Sequence, residues 1–171
     1  LGDPVDIDVV RRLLRERADE LAGVMRARRT QTNEPARCAT LLPALAELDE
    51  PLALLEVGAS AGLTLLLDYY SYDYGGRILT GVDPEAPTLT CAPIGPVPIP
   101  DRPPRVAWRA GLDLDPLDPT DPDDARWLEC MLWPGEGDRA TRLRAALRTA
   151  SRHPVVVRRG DLIDDLPGVV S

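Results

Sequence analysis

Six consecutive residues, Leu52-Ala-Leu-Leu-Glu-Val57, run directly into a turn of small residues, Gly58-Ala-Ser60-Ala-Gly62. A short apolar run of this kind reads as a strand buried on both faces. Leu63 to Tyr70 reads as a helix leaving the turn. Strand, tight small-residue turn and helix open a parallel α/β unit, whose ligands gather at the carboxyl ends of the strands. A second buried-strand signal, Val155-Val156-Val157, follows Pro154 and leads into Gly160-Asp161-Leu162. The fold class expected is therefore α/β with a parallel sheet core.

The flanking segments fill in the architecture. Residues 8–29 carry apolar side chains at three- and four-residue steps and read as one helix, with Asp6 or Asp8 as its cap. A second helix is expected over about 35–48, with Asn33 as N-cap and a kink at Pro43. Residues 1–50 thus read as an N-terminal helical cap, and 51–171 as the core. Eleven of the 18 prolines lie between Pro84 and Pro122. Short strand-like stretches sit among them, at Ile78–Val82, Thr88–Ala92 and Arg105–Arg109. They predict a proline-rich β-hairpin or meander insertion over about 75–110. Helices are expected from Asp121 to about Leu132 and from Asp138 to Ser151. The ends, Leu1 and the uncharged Val169-Val170-Ser171, read as those of a piece of a longer protein.

Missing residue types exclude several chemistries. All 20 cationic residues are Arg. Schiff-base lysine chemistry and the lysine of a phosphate-binding P-loop are therefore absent. A lone histidine, His153, excludes multi-histidine metal sites, so no metal is expected. The net charge of -8 argues against a nucleic-acid partner. No run has the length of a membrane span. Cys38, Cys91 and Cys130 are odd in number and far apart, which fits a reduced, cytoplasmic setting.

The turn fits two chemistries. Glu56 followed by Gly58, Ser60 and Gly62 resembles the first motif of class I S-adenosylmethionine-dependent methyltransferases, although Ser60 stands at the middle glycine position. That resemblance implies a Rossmann-like core binding S-adenosylmethionine. Glu56, Gly58, Ser60 and Gly62 would then meet the methionine and ribose end. Asp113, preferred over Asp83, would meet the ribose, and Asp161 the adenine. The dinucleotide pattern fits worse, because Ser60 and Leu63 stand where glycines are needed. The second chemistry is ester hydrolysis. Gly58-Ala-Ser60-Ala-Gly62 is also a G-x-S-x-G elbow, with Ser60 as nucleophile and His153 as base. Against it, the upstream residues read as helices rather than strands, and Glu56 has no role there. A third reading is a non-catalytic binding or assembly module on the same fold.

Two further clusters draw attention. Tyr69, Tyr70, Tyr72 and Tyr74 are the chain's four tyrosines; they either wall a substrate pocket or pack a helix end. Gln31 and Asn33, the only Gln and only Asn, sit with Glu34 and Arg37. They could form a polar lid over the site, but a helix cap with a surface ion pair is the preferred expectation.

Nearly the whole chain resembles an uncharacterised bacterial family. The likeness runs from Gln31-Thr-Asn-Glu-Pro-Ala-Arg-Cys through the Gly58–Gly62 turn. It continues in Gly111-Leu-Asp-Leu-Asp-Pro-Leu-Asp, Ala125-Arg-Trp-Leu, Trp133-Pro and Gly160-Asp-Leu. It implies a methyltransferase-like fold with further strands beyond Ser171, and no assigned reaction. The function expected is methyl transfer from S-adenosylmethionine to a small molecule.

Overall fold

The computed structural model describes residues 6–170. Its centre is a three-stranded parallel sheet in the order β1 (Leu52–Val57), β5 (Val106–Asp113), β6 (Val157–Arg159). The α/β class with a parallel sheet is thus as the sequence indicates. Along β1, burial alternates: Leu52, Leu54 and Glu56 face the interior, while Ala53, Leu55 and Val57 face outward. The expected two-sided burial is replaced by one-sided packing among the described residues. The C-terminal helix α6 (Leu162–Val170) covers the opposite side of β5, where Val169 and Leu166 meet Ala110 and Leu112.

Expected helices form where caps and periodicity agree. Asp121 caps α4 (Pro122–Cys130) by accepting from the Asp123 N–H at 2.7 Å. The next helix, α5 (Gly137–Arg152), buries Leu143, Ala146, Leu147 and Ala150 along one face. Near the start, the expected single helix is two, α1 (Ile7–Glu16) and α2 (Ala18–Ala27), broken at Arg17. Neither buries a residue. The third helix, α3 (Arg37–Leu45), contains Pro43 and packs Cys38, Ala39 and Leu42 into the main core. Asn33 does not cap it; Ala36 precedes it, without a side-chain cap.

Two other expectations change. Leu63–Tyr70 forms only one 3-10 turn, Leu63–Leu66, before the chain extends into β2 (Ser71–Asp73). Nearly every side chain there is buried, so no polar face exists to make a longer amphipathic helix. The small second sheet has the order β3 (Ile78–Leu79), β2, β4 (Thr88–Thr90). β2 pairs antiparallel with β3 and parallel with β4, so it is not a meander. Arg105–Arg109 belongs not to this sheet but largely to β5, the central strand of the core.

Tyr70, Tyr72 and Tyr74 are core residues. Their hydroxyls donate to the carbonyls of Leu63, Leu67 and Ala39. Burial raises all three phenols above the ordinary range, Tyr74 to about 12. The packing alternative therefore holds for these three.

Candidate functional site

The carboxyl ends of β1, β5 and β6 open onto a cleft of ≈ 380 Å³. That volume lies within the ordinary range of small-ligand sites. The turn after β1 supplies Gly58 and Ser60, the end of β5 Asp113 and Leu114, and the start of α6 Gly160, Asp161 and Leu162. The fourth wall is the extended segment Arg29–Thr32. Glu56, in β1, and Gly62, in the turn, do not line the cleft.

The turn is held by side chains from distant parts of the chain. Asn33 donates to the Ala59 carbonyl at 3.0 Å and accepts from the Leu63 N–H at 2.8 Å. Gln31 accepts from the Ser60 hydroxyl at 2.6 Å and donates to the Asp115 carbonyl at 2.5 Å. Asp113 accepts from the Ser60 N–H with one oxygen and from the Asp115 N–H with the other, each at 2.8 Å. The preferred expectation for Gln31 and Asn33, a cap and a surface pair, is thus replaced. They strap residues 29–33 to the turn and form one wall of the cleft. The signal was present in the sequence, because each is the only residue of its type. Glu34 anchors the same segment to α5 through Arg139 and Arg142, each at 2.8 Å. Burial alone would raise Glu34, yet Arg142, the Ala36 N–H and Arg139 hold it below the usual carboxylate value.

Backbone shape follows from these contacts. Gly62 takes φ +70°, and a Cβ there would lie 3.1 Å from Val157. Ser60 is the only non-glycine residue with positive φ, at 53°, among the described residues. Such a conformation persists only where surroundings over-determine it. Here Asp113 takes its N–H, Gln31 its hydroxyl, and the Leu117 N–H its carbonyl. A further constraint is Gly111 in β5, where a Cβ would sit 2.7 Å from the Ala59 Cβ.

The N–H groups of Gly58, Ala59, Ser60, Gly62 and Leu63 all reach protein acceptors. A phosphate cradle needs such groups free. Instead, the Asp113 carboxylate lies against the turn, where it would repel a phosphate.

Glu56 faces the interior beside Arg37 and Thr64. Its Oε2 and the Thr64 hydroxyl are both buried without a hydrogen-bond partner. Burial pushes the carboxyl up from 4.5 to about 7; the proximity of Thr64 and the charge of Arg37 oppose the shift, and the Asp113 charge adds to it. Asp161 accepts from the Ile163 N–H at 2.8 Å and so caps α6 while lining the cleft.

The two hydrolase residues are not joined. The Ser60 hydroxyl is bonded to Gln31, and Ser60 is buried. His153 ends α5, stacks on Tyr69 at 4.2 Å and lies 3.1 Å from Asp83 through Nε2. Asp83 also accepts from Arg152 at 2.6 Å, and that contact first, then the Glu85 N–H and His153, holds it below the carboxylate norm against burial. Asp83 is no part of the cleft, which leaves Asp113 as the acid at the end of β5.

Among the described residues, no group of three or more His, Cys, Asp or Glu side chains is placed to hold a metal ion. No described helix is long and apolar enough to cross a membrane. All three cysteines are free thiols.

These features define a parallel α/β domain with a ligand-sized cleft at its strand ends. The chain belongs to the family described as "Uncharacterized protein conserved in bacteria (DUF2332)", whose model matches residues 4–171. No curated protein and no solved structure matches the chain.

Proposed function

We propose that the cleft binds S-adenosylmethionine and that the protein transfers its methyl group to a small molecule. One observation carries this reading. Gly58, Ser60, Asp113 and Asp161, singled out from the sequence as cofactor residues, line a single cleft at the ends of three parallel strands. The β6-β5-β1 order matches one half of a Rossmann-like sheet, where ligands bind at the strand carboxyl ends.

The cleft's chemistry fits an adenosyl sulfonium better than a dinucleotide. The turn offers no free cluster of N–H groups for a pyrophosphate, and the acids Asp113 and Asp161 favour a ligand without phosphate charge. Each Asp113 oxygen holds one backbone N–H and retains a lone pair for a ribose hydroxyl. Asp161 keeps acceptor capacity beyond its capping bond, for an adenine amino group. When bound, the cofactor supplies an activated methyl group on a sulfonium. The chain's residues bind and orient it, and alignment with an acceptor supplies much of the rate. Glu56 lies behind the turn, on the interior face of β1, and makes no contact inside the cleft.

Thermal unfolding with S-adenosylhomocysteine tests the reading. Ligand at about a hundred times its Kd adds roughly 2.7 kcal/mol. For a domain of this size the midpoint then rises by about 5–10 °C. Leu114→Trp fills the cleft from an exposed position and should abolish the shift. Absence of any shift with the unaltered protein, or an equal shift in Leu114→Trp, overturns the assignment.

A further inference from the structure

The strap that walls the cleft fixes the backbone around Arg29 from both sides. Upstream, Arg28 pairs with Asp124 of α4 and lies 5.8 Å above the Trp127 ring. Trp127 Nε1 donates to the Arg29 carbonyl at 2.9 Å. Downstream, Gln31 is bonded to Ser60 and Asp115. Arg29 lines the cleft and, among the described residues, is the only cation that does. Among the described residues its guanidinium has no ion-pair partner, although Asp113 and Asp161 line the same cleft. With the N–H groups of Gly58 and Ser60, the turn residues that line the cleft, bonded within the protein, this guanidinium is the cleft's main donor for an anion. Its planar fork matches a carboxylate.

We propose that Arg29 receives the carboxylate at the amino-acid end of the cofactor. The proposal rests on the S-adenosylmethionine reading and adds to it an orientation: the amino-acid end lies toward the strap, the nucleoside toward Asp113 and Asp161. A ligand with one carboxylate and no phosphate needs one such arginine, and one is what the cleft holds.

Calorimetric titration with two ligands separates the proposal from its premise. S-adenosylhomocysteine carries the carboxylate; 5′-methylthioadenosine shares the thioether nucleoside and lacks it. Arg29→Gln should weaken S-adenosylhomocysteine by about tenfold to a hundredfold. It should leave methylthioadenosine within about twofold, and Arg29→Lys should recover part of the loss. The side chain is exposed and unpaired, so Arg29→Gln should unfold at the same midpoint as the parent. Unchanged S-adenosylhomocysteine binding in Arg29→Gln removes Arg29 from the site and leaves the cleft reading intact. Equal weakening of both ligands also overturns the carboxylate assignment. If neither ligand binds the unaltered protein, the cofactor reading fails and this proposal fails with it.

Discussion

Replacing Glu56 by Gln should stabilise the protein above neutral pH and do little at pH 4.5 and below. Burial raises the carboxyl from 4.5 to about 7 in the folded state. The neutral form is therefore the one the fold prefers. Below pH 4.5 the group is protonated folded or unfolded, and the fold bears no penalty. As pH rises from 4.5 to about 7, the unfolded state ionises first and the folded state loses stability; above that both are ionised and the penalty stays constant. The full difference corresponds to about 3 kcal/mol, and partial exposure of Glu56 reduces this to about 1–2 kcal/mol. A glutamine cannot ionise, so it removes the penalty. Urea unfolding of both proteins from pH 5.5 to 8.5 measures it directly. The variant's advantage should grow with pH by about 1 kcal/mol across that window. A difference that stays constant with pH, or that shrinks as pH rises, refutes the assignment of Glu56 as a carboxyl held neutral by burial.

Three further outcomes follow from the same contacts. Asn33→Ala leaves the Leu63 N–H and the Ala59 carbonyl without their partner and should lower urea stability by about 2–4 kcal/mol. Gly111→Ala places a Cβ 2.7 Å from the Ala59 Cβ and 3.0 Å from Val157; it should cost about 1–3 kcal/mol, seen as a lower thermal midpoint. Arg109→Ala strips Asp68 of a bidentate partner at 2.8 Å in a largely buried setting, and about 3 kcal/mol should be lost in chemical unfolding.

The sequence made some elements legible and hid others, for physical reasons. β1 and its turn stood out because an apolar run meets a cluster of small residues. α4 and α5 stood out because Asp121 is a cap and the Leu143–Ala150 face is periodic. The start of β5 reads as a strand, but the prolines before it place Arg105–Arg109 with the insertion; in the fold it joins the core sheet, where the half-buried Arg109 pairs with Asp68 and lies 4.9 Å from the Tyr69 ring. The helix break at Arg17 has no Gly or Pro to announce it. Asp113 and Asp161 were found as acids following strands. Their bonds to the Ser60 and Ile163 N–H groups depend on long-range packing and local capping that spacing does not reveal. Gln31 showed as one of a kind, but the Ser60 bond joins residues 29 apart in sequence.

Hydrogen exchange with and without S-adenosylhomocysteine tests the central claim most directly, because it reports where a ligand sits. The account predicts slowed exchange in peptides covering residues 29–33, 57–63, 112–115 and 160–163, the four walls of the cleft. No slowing at saturating ligand, or slowing confined to the separate cavity around residues 102–106, would contradict it.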